Sequence, residues 1–311
     1  MPAATSSNPP APASKAQTFL RRLFSFVVLW TVVGVALFSG NKFVSDGFFL
    51  IVITVLAGLG LWEFYGLAEK REFVCFKWWG VVGGVLLMLG TFLHLQGVLG
   101  IANSPARVND FETIFLIVFV LGLCLRQFAS PSNTAGLLAI STTLFGLMYV
   151  PWLLNFIQKI TYFPTLQGTG IYYLLFFIVV TKFSDIGAYV TGTLIGRHKM
   201  IPRISPNKTW EGFGGAIVFS TAASLVFAQL AGPDRLTGMN WRHATILGVL
   251  LSVAAVVGDL IESLFKREAG VKDSGRLFPG IGGILDLLDS LLFNAPLMYL
   301  YLRHVLTRPA G

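Results

Sequence analysis

An all-α fold of transmembrane helices is predicted by three features of the sequence. The chain is 54% hydrophobic with a mean hydropathy of +0.72, far more apolar than an ordinary soluble domain. Only 12% of its 311 residues are Asp, Glu, Lys or Arg. The apolar residues also lie in long unbroken runs, where a membrane β-barrel would show short alternating strands. A helix rises about 1.5 Å per residue, so roughly 20 apolar residues cross a hydrocarbon core about 30 Å thick.

Spans are predicted at Leu23 to Phe38, Phe48 to Leu67, Trp79 to Leu99, Phe111 to Phe128, Ala135 to Phe156, Tyr172 to Leu194, Gly214 to Leu230, Thr245 to Ile261 and Leu288 to Leu306. This polytopic arrangement has about nine helices. Residues 1–17 are rich in Pro, Ala and Ser without hydrophobic period and read as a disordered tail. Lys15, Arg21 and Arg22 precede the first span, whose length and lack of a small-x-small cleavage site favour a retained helix over a signal peptide.

With the N-terminus cytoplasmic, Lys70, Arg71, Lys77, Arg126, Arg197, Lys199, Arg203, Lys208, Lys266, Arg267, Lys272 and Arg276 fall on the inner side. Fewer cations fall outside, which fits the positive-inside rule, although Arg303 and Arg308 are then external. The net charge of +8 belongs with anionic headgroups, and nucleic acid is excluded as a partner. Cys75 and Cys124 are too few for a disulfide framework and form no metal-type pair. The first five spans carry almost no intramembrane charge. We therefore expect residues 18–170 to be a scaffold and residues 171–311 to hold the functional site.

The polar residues of the C-terminal half gather at the inner end of its spans. Asp259, Glu262, Ser263 and Lys266 have spacings that share one helical face. An ionised Asp at membrane depth costs about 3 kcal/mol and calls for a cation or a polar cavity. Next come Lys272, Asp273, Ser274 and Gly275, then Gly282 and Gly283, a stretch whose backbone N–H groups could cradle phosphate oxygens. Asp286 and Asp289 share a face near a helix N-terminus and, with Asp259, read as an oxygen-ligand set for Mg2+. Upstream stand Lys182 and Asp185, the latter opening an Asp-Ile-Gly-Ala-Tyr element, and a predicted loop with Ser205, Lys208 and Thr209 as phosphate donors. Gly187, Gly192 and Gly196 read as close helix packing. Metal carboxylates, phosphate-binding cations and a membrane-surface location point together to phosphoryl or nucleotidyl transfer onto a lipid headgroup.

These residues resemble the integral-membrane phosphatidate cytidylyltransferases, or CDP-diglyceride synthases, whose signature has the form S-x-x-K-R-x4-K-D-x-G-x3-P-x-H-G-G-x-x-D-R-x-D. The chain matches it at Ser263, Lys266, Arg267, Lys272, Asp273, Gly275, Pro279, Gly282, Gly283, Asp286 and Asp289. It departs at Ile281, in place of His, and at Leu287, in place of Arg; none of His94, His198, His243 or His304 obviously replaces the imidazole. Asn207 stands where the family often has Lys.

The resemblance implies transfer of the cytidylyl group of CTP to phosphatidic acid, giving CDP-diacylglycerol and pyrophosphate. It also implies Mg2+, in some members a monovalent cation such as K+, and often a dimer. By the same resemblance Asp259, Asp286 and Asp289 hold metal, and Lys266, Arg267 and Lys272 bind phosphates. Ser205, Lys208 and Thr209 line the substrate pocket, and a bacterial inner membrane is the expected location. The readings set against this are a transferase acting on another lipid phosphate, a transporter using Lys182, Asp185, Asp259 and Glu262 as an ion path, and a non-catalytic paralogue.

Overall fold

The computed structural model describes residues 31, 34, 41–98, 105–130, 135–164, 169–275 and 282–307. The predicted tail and almost all of the predicted first span lie outside them. The remaining eight spans are present as helices long and apolar enough to cross a membrane. They are α1 (Lys42–Lys70), α2 (Lys77–Leu95), α3 (Pro105–Phe128), α4 (Gly136–Leu147) continuing into α5 (Leu153–Thr161), α6 (Gly170–Leu194), α7 (Trp210–Ala231), α8 (Trp241–Glu268) and α9 (Ile284–Tyr301). The chain is an integral membrane protein.

Local chemistry sets the ends and breaks of these helices. Asn41 caps α1 by accepting from Phe43 N, and Asn240 caps α8 by accepting from His243 N. Pro151 lacks an N–H and would clash with the preceding turn, so the α4–α5 span widens into a π-helical turn at Met148–Trp152.

α6, α7 and α8 pack on one another, α9 packs on α6 and α8, and α9 also touches α1 and α5, which joins the two halves. The α6–α7 approach depends on absent side chains. A Cβ on Gly187 would lie 2.5 Å from the Gly215 carbonyl oxygen, in keeping with the close packing expected of these glycines. The core runs the length of the bundle, with Leu61, Tyr65, Leu154, Phe176, Phe177, Leu251, Leu288 and Met298 all buried.

Two features depart from expectation. The predicted loop around Ser205 is an antiparallel hairpin, β1 (Lys199–Ile201) with β2 (Ser205–Thr209), paired Lys199 to Thr209 and Ile201 to Ser205. The N-terminal half is also not free of buried charge. Lys159 Nζ lies 2.5 Å from Glu112 Oε2, both side chains are buried, and Asn155 Nδ2 donates to Glu112 Oε1 and to Thr91 Oγ1. The two charges pair across helices at the end of the bundle opposite the hairpin, which is how a membrane helix tolerates them.

Candidate active site

At the hairpin end a cavity of about 440 Å³ opens between α6, the hairpin, α7, α8 and α9. That volume suits a small-molecule ligand, for which roughly 300–1,000 Å³ is usual. Asp185, Ser205, Lys208, Thr209, Asp259, Asp286 and Asp289 line it, seven residues expected from sequence and drawn from four elements. Lys182, Tyr189, Asn207 and Leu287 complete its polar and rim surfaces.

The hairpin carries Lys208 over the mouth, where its Nζ lies 2.6 Å from Asp259 Oδ2. Thr209 has a structural task as well as a place on the wall. Its hydroxyl accepts from Gly212 N and caps α7. On α6, Lys182 Nζ donates to Asp185 Oδ2 at 3.3 Å, and Ser290 Oγ donates to the same oxygen at 3.4 Å. The cavity therefore holds cations already seated on carboxylates, an arrangement that a polyanion with its own metal could exchange for itself.

One carboxylate oxygen each from Asp259, Glu262 and Asp289 lies within 4.8 Å of the others. Glu262 is fully buried, and its Oε1 has no hydrogen-bond partner. An orphaned carboxylate oxygen inside a cluster of hard oxygen donors fits a divalent cation, since a buried anion is otherwise costly.

Asp286 is engaged differently. Its Oδ1 accepts from Lys266 Nζ at 2.6 Å, while its Oδ2 accepts from Gly283 N, Ser274 N and Ser274 Oγ at 2.8 to 3.0 Å. It closes the first turn of α9 and ties the preceding loop to it. Lys266 spans Asp286 and Glu262, 3.0 Å from the latter, so in this state its ammonium faces carboxylates and not the cavity.

The remaining expected residues stand around the cavity without lining it. Ser263 Oγ donates to Asp259 Oδ1 at 3.3 Å. Arg267 Nε donates to the Ile204 carbonyl, fastening the end of α8 to the hairpin. Lys272 and Asp273 are exposed. The N–H of Gly283 is occupied by Asp286, and Gly282 has φ +117°, a conformation that favours glycine. Ile281 and Pro279 lie outside the described residues. His198, one of the imidazoles considered above, bonds Glu211 through Nδ1.

Glu63 on α1 is a residue that sequence reading missed. Its Oε2 accepts from Ser274 Oγ and from Leu285 N, each at 2.9 Å. A Cβ on Gly275 would overlap Glu63 Oε1, and one on Gly283 would overlap Oε2. A carboxylate from the N-terminal half thus sits between two glycines of the motif and clamps both ends of the loop. Lone acids within an apolar run are the signal that could have found it.

The sequence pattern of the Cytidylyltransferase family matches residues 20–305. The chain belongs to that family. Among relatives of this cytidylyltransferase-family protein, YnbB of Escherichia coli (strain K12), itself described as uncharacterized, is 39% identical over 296 residues, covering 92% of this chain and 86% of the other. The phosphatidate cytidylyltransferase of Mycobacterium leprae (strain TN) is 40% identical over 168 residues, 54% of this chain and 51% of the relative. That of Staphylococcus epidermidis (strain ATCC 12228) is 44% identical over 141 residues, 45% and 53% respectively. The matched stretch thus spans about half the length of these two phosphatidate cytidylyltransferases, and most of YnbB.

Proposed function

We propose that the chain transfers the cytidylyl group of CTP to phosphatidic acid, forming CDP-diacylglycerol and releasing pyrophosphate. A phosphate oxygen of the lipid attacks the α-phosphorus, a new P–O bond forms, and the bond from the α-phosphorus to the bridging oxygen breaks as pyrophosphate leaves. The lipid is its own nucleophile, so the protein's work is positioning and charge stabilisation. The observation that carries this reading is the carboxylate cluster of Asp259, Glu262 and Asp289, two of which line, with Lys208 and Lys182, a cavity at one end of a membrane bundle.

Asp259, Glu262 and Asp289 would hold Mg2+. When bound, that ion neutralises triphosphate charge and polarises the phosphoryl group under attack. Lys208 would leave Asp259 for a phosphate oxygen, with Ser205 beside it on the same strand. Asp286 and Lys266 keep α8, α9 and the Ser274 loop in register, and Asp286 joins the metal set only if Lys266 releases it. Arg267 and Lys272 lie at the entrance side, where they favour approach of anions.

The cationic residues of this end, from Lys70 to Lys272, support a cytoplasmic placement of the site and of the N-terminus, in a bacterial inner membrane. A homodimer is part of the same reading, tested by crosslinking in native membranes. The direct assay uses purified protein, Mg2+, CTP and phosphatidic acid, with an ether-lipid phosphate run in parallel. CDP-diacylglycerol should form with the parent and be abolished by Asp289→Asn. Absence of product from the parent, or full activity in the variant, would contradict the proposal.

A further inference from the structure

Leu287 stands where the signature has an arginine, and it is one of the residues that line the cavity. The arginine of the signature thus falls at a position on the cavity wall. The same stretch of wall carries Lys182. Its Nζ is 3.5 Å from the Leu287 backbone oxygen, and its side chain, 27% exposed, lines the same cavity from α6. A cation absent from the first turns of α9 is thus matched by one arriving from the facing helix.

Charge makes the match consequential. The cavity is lined by Asp185, Asp259, Asp286 and Asp289 against Lys182 and Lys208. Lys208 and Lys182 are held by Asp259 and Asp185 respectively. Lys182 is bound loosely, to a 42% exposed carboxylate at 3.3 Å and a carbonyl at 3.5 Å. Such an ammonium can turn to a stronger acceptor, because bonds of 3.3 and 3.5 Å are long and hold it weakly. A phosphate oxygen is that acceptor.

We infer that Lys182 is a second phosphate-binding cation of this site beside Lys208, supplying from α6 the charge that the signature places at position 287. The inference rests on the proposed use of a nucleotide and a lipid phosphate, and extends it to a residue and to the departure at Leu287. A flexible ammonium replaces a forked guanidinium, so one point contact takes the place of a bidentate one.

The test compares the full-length parent with Lys182→Met, Lys182→Arg and Lys182→Met/Leu287→Arg in detergent, each checked for a parent-like unfolding midpoint. Lys182→Met should lower kcat/KM by about 10- to 100-fold, the value of one hydrogen bond to a charged group. A rise in KM for CTP assigns the contact to the triphosphate, and a rise in KM for phosphatidic acid assigns it to the lipid. Lys182→Arg should retain most activity, and Leu287→Arg should return about tenfold or more of the loss. Activity of Lys182→Met within about twofold of the parent overturns the inference, as does a well-folded loss that Leu287→Arg fails to relieve. Should the parent turn over no CTP, the functional reading fails by itself. Calorimetric binding of pyrophosphate with Mg2+ then decides Lys182: weaker binding in Lys182→Met supports it, and binding equal to the parent's, or none by either, overturns it.

Discussion

Replacing Glu63 removes a clamp that lies on α1, outside the region carrying the motif. Its Oε2 accepts two hydrogen bonds, from Ser274 Oγ and Leu285 N, at 2.9 Å each. Bonds to an ionised acceptor contribute about 1.5–3 kcal/mol each in protein settings. Glu63 is only partly buried, and water can replace some of this, so Glu63→Ala should weaken the tie between Ser274 and Leu285 by about 3 kcal/mol. Glu63→Gln keeps an acceptor but not the charge, and about 1–2 kcal/mol is expected. Carried into turnover, these losses lower kcat/KM on the order of 100-fold for Ala and about 5- to 30-fold for Gln.

The geometry adds a second requirement. Gly275→Ala places a methyl group on Glu63 Oε1 and should be severe in the parent. It should be markedly milder beside Glu63→Ala, a non-additivity expected of touching residues. The assay is the initial rate with CTP and phosphatidic acid, alongside the rate of limited proteolysis of the whole chain. Parent-like kcat/KM and protease resistance in Glu63→Ala would refute the clamp, and so would strict additivity of the two substitutions.

Three further outcomes follow from the same contacts. Lys266→Met leaves Glu262, fully buried, and Asp286 without their shared cation, and breaking such a pair costs about 3–5 kcal/mol; a lower unfolding midpoint in detergent checks it. Thr209→Ala loses the cap of α7, about 1 kcal/mol, whereas Thr209→Ser keeps it, so thermal scans should rank Ser above Ala. Cys75 lies between α1 and α2, where burial and then the Glu69 carboxylate push its thiol up to about 11. The nucleophilic thiolate is therefore scarce at neutral pH, and maleimide labelling should quicken about tenfold per pH unit from 7 to 10; a rate that levels off near pH 9 would contradict this.

Hydropathy located the eight described spans, with ends displaced by up to seven residues, because a continuous apolar run in lipid satisfies its backbone polar groups as a helix. The helical spacing of Asp259, Glu262 and Lys266 was equally readable, since three and four residues complete about one turn. Contacts between distant segments were not. Glu63 meets Ser274 across 211 positions, and Lys159 meets Glu112 across 47. Nothing in the local sequence of either residue names a partner so far along the chain. The hairpin escaped detection because Ser-Pro-Asn-Lys-Thr has neither apolar alternation nor a strong turn pair. Sequence placed Lys266 toward phosphate, but in the structure it spans two carboxylates, one of them its own i−4 neighbour.

The most direct measurement follows the two ends of the nucleotide separately. With purified protein, Mg2+ and phosphatidic acid, CTP labelled at the α-phosphorus should pass its label to the lipid fraction, and CTP labelled at the γ-phosphorus should release it entirely as pyrophosphate. Asp259→Asn should suppress both. Label from the γ-position in the lipid would show phosphoryl transfer instead of cytidylyl transfer, and no label in the lipid from either position would contradict the account.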